Sequence, residues 1–201
     1  MAGAPADDRN RTMTNFLERG PSLDARPRHE EYRAAALAAL AALREAGWTP
    51  GRSAGPGPRA DMVEQYGPPP HAARRFLAEY GGLRLEFADP RDSSGESRSD
   101  IDIRGGADIL GWVGTWSRAA EEPLFPVGEF ARRNCVLLVG DSGSLYGAFD
   151  AILGRLGADA LTGLGRLVLD RSPLEPRLPV PPEALYRPER PPARLRRREH
   201  P

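Results

Sequence analysis

The sequence predicts an α+β fold, a small and mainly antiparallel sheet packed with helices, and three observations carry that prediction. From His29 to Ala46 alanine and leucine dominate, and Tyr32, Ala36, Leu40 and Leu43 recur at three- and four-residue spacing among charges, the signature of an amphipathic helix. Two apolar runs, Cys135 to Val139 and Ser144 to Phe149, are separated by Gly140, Asp141, Ser142 and Gly143, the composition of a tight hairpin turn. A tight turn requires antiparallel pairing, and helical and strand patterns interleave along the chain, so helices must pack on a small sheet.

Taken in order, residues 1–28 are polar and broken by Gly20, Pro21 and Pro27, and read as a loose extension. The first helix stops at Gly47, and Trp48, Pro50, Gly51 and Arg52 lead into a Gly/Pro stretch ending near Arg59. A second helix spans about Pro70 to Tyr80, with Ala73, Phe76 and Leu77 inward and Gly81 and Gly82 ending it. Leu83 to Phe87 alternates apolar with charged residues as a half-buried strand does, residues 88–99 form a polar loop, and Ile101 and Ile103 flank Asp102 in a second strand. Asp108 is placed to cap a helix carrying Leu110, Trp112, Val113 and Trp116, bounded by Pro123 and Pro126. After the hairpin, residues 150–169 read as one or two short helices with Ile152, Leu153, Leu156, Leu161 and Leu164 apolar. The folded domain therefore spans 29–170.

Composition sharpens this division. The 28 basic residues of the 201 are all arginine, balanced by 28 acids. Residues 171–201 hold nine prolines, eight arginines and four acids, a disordered tail of charge +4 on a body of charge −4. Without lysine there is no phosphate-loop lysine, Schiff base or lysine general base. A single cysteine, Cys135, excludes an internal disulfide and a cysteine zinc site, and it opens an apolar strand as a buried small hydrophobe. His29, His71 and His200 are too scattered to pair as metal ligands, so neither metal nor cofactor is expected. The opening MAGAPADD is no secretory leader and no apolar run approaches the 18 or so residues of a membrane span, which reads as cytoplasmic with no membrane contact.

Gly140 to Ser144, GDSGS, resembles the setting of a serine nucleophile, but a triad needs a histidine held beside the serine, and the turn reading accounts for the same residues. Glycines 51, 55 and 57, and 163 and 165, read as loop or helix ends rather than phosphate cradles. The window 86–108 is net −4, with Glu86, Asp89, Asp92, Glu96, Asp100, Asp102 and Asp108 against Arg91, Arg98 and Arg104. Its spacing fits no calcium loop; it reads as a solvated acidic loop or as a surface meeting a basic protein. Trp112 and Trp116 read as core packing rather than an exposed anchor. The arginine run at 194–198 lacks a folded base-reading element, so direct nucleic-acid binding is not expected. No catalytic set emerges.

A series of short strings then resembles the third subfamily of the SUKH superfamily of bacterial immunity proteins. They are Ala46 to Arg52 (AGWTPGR), Phe76 to Leu83 (FLAEYGGL), Pro126 to Glu129 (PVGE), and Leu137, Leu138, Gly143, Tyr146, Leu156, Gly157, Ala160 and Leu161, across about residues 37–168. The resemblance implies a non-enzymatic α+β protein that binds and neutralises a cognate toxin domain of a polymorphic toxin system, often a nuclease or a deaminase. It implies that Trp48, Arg52, Gly81, Gly82, Gly128, Gly143 and Tyr146 hold the fold. The toxin-facing residues would be variable ones: Asp89, Asp92, Glu96, Asp100 and Asp102. The competing readings are an adaptor or regulator that recruits its partner through the Pro/Arg-rich tail, and a carboxylate-dependent hydrolase holding a metal in the window 86–108. The toxin and the oligomeric state are not legible.

Overall fold

The computed structural model describes residues 29–53, 55–89, 94, 96–108, 112–169 and 178–179. In chain order they form α1 (His29–Glu45), α2 (Ala60–Tyr66), α3 (His71–Tyr80), β1 (Arg84–Ala88), β2 (Arg98–Asp102), α4 (Val113–Ala120), β3 (Leu124–Phe130), β4 (Cys135–Gly140), β5 (Leu145–Phe149), β6 (Ile152–Gly157), α5 (Ala160–Val168) and β7 (Leu178–Pro179). The strands lie in the sheet in the order of the chain, each antiparallel to the next. The fold is α+β, a meander of six strands with the two-residue β7 added against Ile152 and Leu153. The loose extension at 1–28 and all of the tail except Leu178–Pro179 lie outside the described residues.

Alternation of side chains sorts the sheet into two faces. Cys135, Leu137, Val139, Leu145 and Leu156 join Leu85, Ile101, Phe125 and Val127 on one face, under Leu43, Phe76, Leu77, Leu164 and Leu167 of α1, α3 and α5. Val136, Leu138, Tyr146, Ala148 and Leu153 face the other way, where Val113 and Trp116 of α4 cover them. Trp116 is fully buried and its indole N–H donates to the Asp150 carbonyl at 3.0 Å, while Trp112 precedes the helix and stacks on it at 6.5 Å between ring centres. Cys135 is buried in the first cluster.

Four elements differ from the sequence expectation. Pro126, expected only to bound the preceding helix, and the PVGE string that it opens lie inside β3; the ladder to β4 slips by one residue between Pro126 and Gly128, the kind of bulge that accommodates a proline in a strand. Residues 152–157, expected as helix, form β6, because a strand buried on both faces places Ile152, Leu153 and Leu156 at spacings a helix also uses. The short α2 was hidden between glycines and prolines. Asp108 caps no described helix: α4 begins at Val113 after Trp112, and Leu110 lies outside the described residues.

The buried stripe of α1 is also shifted, to Ala35, Ala39, Ala42 and Leu43, with Leu40 only part-buried. The reason is the closeness of α5, where Gly163 and Gly165, expected at a loop or helix end, sit mid-helix. A methyl group at Gly165 would collide with the backbone of Ala35 and one at Gly163 with the Leu145 side chain. Gly165→Ala is accordingly expected to force α1 and α5 apart and to destabilise the protein by about 3 kcal/mol or more; an unchanged urea midpoint would show that this approach is not tight.

Candidate functional site

Among the described residues, α4 covers only part of the second face of the sheet. Beyond α4, the β1–β2 pair presents Arg84, Glu86, Arg98, Asp100 and Asp102 on the same side, since Arg84 pairs with Asp102, Glu86 with Asp100 and Ala88 with Arg98. Their neighbours Leu85 and Ile101 are fully buried on the opposite face, which fixes the register because a slip by one residue would bury the charges. The expected polar loop of 88–99 is thus part strand.

Glu129 marks the border of this open half. It is 1 % exposed and lies on β3 between Asp102 of β2 and Val136 of β4. A carboxylate that deep requires compensation. Arg104 forms an ion pair with it, and the Asp108 backbone N–H donates to its Oε1 at 2.6 Å. Arg104 also meets Asp108 at 2.9 Å, and Asp108 receives Arg59 at 2.8 Å, which in turn holds Asp61 of α2 at 2.6 Å. The hydrogen bonds from Arg59 hold both the Asp61 and the Asp108 carboxyls below the usual carboxylate range, and the same contacts hold the Arg59 guanidinium more firmly protonated. The chain of charges α2, Arg59, Asp108, Arg104, Glu129 fastens the segment 104–108 across the sheet.

On the open half the acids are paired with arginines that come from elsewhere in the chain. Arg84 meets Glu86 at 3.2 Å and Asp100 at 3.1 Å, and Arg133 stands 4.0 Å from both Asp102 and Glu129. Asp100 is also an anchor: its carboxylate accepts the Arg132 N–H at 3.0 Å and its carbonyl the Ala131 N–H at 3.1 Å. Those bonds secure the β3–β4 connection, where Ala131, Arg132 and Arg133 are all left-handed, with φ of 53°, 58° and 66°. Three consecutive residues other than glycine in that region cost about 1–2 kcal/mol each. The Asn134 amide, donating to the Ala131 carbonyl at 3.2 Å, completes the turn. The result is a groove of about 480 Å³ rimmed by Arg84, Arg98, Arg132 and Arg133 around Glu86 and Asp100.

Of the residues expected to face a partner, Asp100 and Asp102 therefore lie on this surface, half-buried and beside guanidinium groups, rather than as bare negative charge. Asp89 and Glu96 stand at the far end of the β1–β2 hairpin, with the Asp89 N–H donating to the Ser97 carbonyl at 2.9 Å and Glu96 exposed. Asp92 lies outside the described residues. Sequence reasoning missed Glu129, Arg132 and Arg133; the run Ala131 to Asn134 contains no glycine, the usual mark of a left-handed turn.

The residues expected to hold the fold sit elsewhere. Trp48 stacks on Tyr80 at 6.4 Å, and Arg52 donates to the Glu79 and Gly81 carbonyls at 2.7 and 2.8 Å, satisfying the end of α3. Burial in that corner pushes the Tyr80 hydroxyl above its ordinary pKa. Gly82 is left-handed at φ 77°, and Gly128 lies against the Asp102 carbonyl where β2 meets the bulge. Gly143 closes the three-residue hairpin loop at φ 88°. Glu122 braces that loop from outside, accepting the Tyr146 hydroxyl at 2.6 Å and the Ser142 N–H and hydroxyl at 2.8 and 3.0 Å. Ser142 and His71 line one cleft of about 460 Å³, yet the serine hydroxyl donates to Glu122, so its placement serves the turn. Among the described residues no group of three or more His, Cys, Asp or Glu is disposed to hold a metal, and no helix is long and apolar enough to cross a membrane.

The model of the SUKH-3 immunity protein family matches residues 36–170, more than half of the chain and nearly the span of the sequence resemblance. No curated protein and no solved structure gives a match.

Two outcomes follow from the charges and the turn. Because the Asp61 and Asp108 pKa values are lowered in the fold, their contribution is present above the usual carboxylate range and is lost as pH falls through it and below. Acid should therefore loosen α2 and the segment 104–108 before the sheet melts, and salt should weaken the same tie, as hydrogen exchange resolved by segment would show. Ala131→Gly should raise stability by roughly 0.5–1 kcal/mol, the relief of left-handed strain less the entropy glycine adds to the unfolded chain; a loss of stability in urea titration would refute the strain.

Proposed function

The chain belongs to the SUKH-3 immunity protein family, and from that membership we propose that it binds and neutralises a cognate toxin domain of a polymorphic toxin system, a nuclease or a deaminase. The family match carries this reading: it begins within α1 and runs past the end of α5, and so takes in β1 to β6 and the described helices but for the first turns of α1. Immunity of this kind is stoichiometric. It asks for a rigid body whose surface covers the toxin's working site, not for a catalytic set, and a partly uncovered sheet is such a surface. Inhibition at cellular concentrations calls for on the order of 1,600 Å² buried in total. The open half of the second face supplies the centre of that area, with the hairpin turns beside it as the rim.

Co-expression with the toxin domain encoded beside this gene tests the reading. Cells are expected to survive and the two chains to co-purify. Survival and the complex should both persist for a chain ending at Pro179, which keeps β7 and removes most of the Pro/Arg-rich tail. Death of the cells without a complex would sink the immunity reading, whereas binding lost only on truncation would transfer recognition to the tail and favour the adaptor.

A further inference from the structure

We propose that the groove on the open half of the sheet receives a carboxylate-bearing segment of the toxin domain, gripped by Arg132 and Arg133; the proposal rests on the immunity reading and names the partner's chemistry. The groove holds four guanidinium groups against two carboxylates, and the carboxylates are already engaged. Glu86 and Asp100 share Arg84, and Asp100 is further committed to the Arg132 backbone. Arg98 turns toward the Glu86 carbonyl at 3.2 Å. The Arg132 side chain has no carboxylate partner among the described residues, and Arg133 comes no closer than 4.0 Å to its own. Both are exposed. The charge left over at the rim is positive, although the local sequence is acidic.

Guanidinium is a planar fork that takes a carboxylate through two parallel hydrogen bonds, and it sheds water more readily than an ammonium. Here the forks stand on a turn whose backbone Asp100 and Asn134 fix before any partner arrives, so only the side chains remain to be ordered on binding. The left-handed backbone at three successive residues is the cost of presenting two adjacent arginines over the sheet, and strain of that sort gathers at binding sites. A polyphosphate chain suits the groove less well, because Glu86 and Asp100 on its floor would repel a continuous run of phosphates, whereas single carboxylates can settle between the arginines.

The full chain and the toxin domain, both purified, would be titrated by calorimetry with and without prior nuclease treatment, at low and moderate salt. Arg132→Glu with Arg133→Glu is expected to weaken binding roughly 30-fold or more and to flatten its salt dependence. Arg132→Ala with Arg133→Ala should give a smaller loss of the same sign, with circular dichroism unchanged, which separates recognition from folding. Unchanged affinity in both variants would overturn the proposal while leaving immunity intact. Binding that disappears on nuclease treatment would overturn it in favour of a nucleic-acid bridge. No complex with the unsubstituted chain would instead overturn the immunity reading, and this proposal with it.

Discussion

The burial of Glu129 organises much of what surrounds it. A carboxylate at 1 % exposure is tolerated only when charge and hydrogen bonds replace its water, and Arg104 with the Asp108 N–H supply them. To do so the segment 104–108 must lie across the end of the sheet, which seats Ala107 in the cluster beneath α4 and passes the Asp108 carboxylate to Arg59. The ion pair is thus also a position marker. On its β4 side the sheet face is apolar and covered, on its β2 side polar and open, and Val136 and Asp102 are its direct cross-strand neighbours.

The exclusive use of arginine fits this architecture. Arg52 reaches two carbonyls at the end of α3 with one fork, Arg59 joins two carboxylates, and Arg104 does the same on the sheet. A lysine at any of these positions would offer a point charge to one partner and leave the geometry of the second unconstrained. Such links fix angles as well as distances, and that suits a protein whose single cysteine leaves no internal disulfide to hold its loops.

The parts of the fold that were legible in the sequence are those governed by short-range rules. The hairpin was marked by Asp141 and Gly143, the ends of α1 and α3 by their glycines, and the half-buried β1 by its alternation. β3 and β6 were not legible, because Pro126 and Gly128 break the local pattern that strand pairing restores, and because two-sided burial erases period-two alternation in β6. The acids of the candidate surface were visible, but their setting was not. Asp100 meets Arg132 across 32 residues and Arg84 across a hairpin, so a charge count over the window 86–108 omits the arginines that the topology brings to it.

The contacts of each side chain decide where this protein is free to vary. The contacts of Trp48, Arg52, Gly81, Gly128 and Gly165 are with backbone or buried rings, and a change there is paid in folding stability. Arg98 stands in solvent on β2, whose opposite face carries the core, and Arg132 and Arg133 stand in solvent on the β3–β4 turn, so replacing any of the three removes little packing. Asp100 is the exception, since it holds the turn as well as facing the groove. On the proposed reading, an immunity protein must match its toxin while keeping its fold, and the pleat of β1 and β2 would separate the two demands, since it turns Leu85 and Ile101 to the core and Arg84, Glu86, Arg98 and Asp100 to the other face.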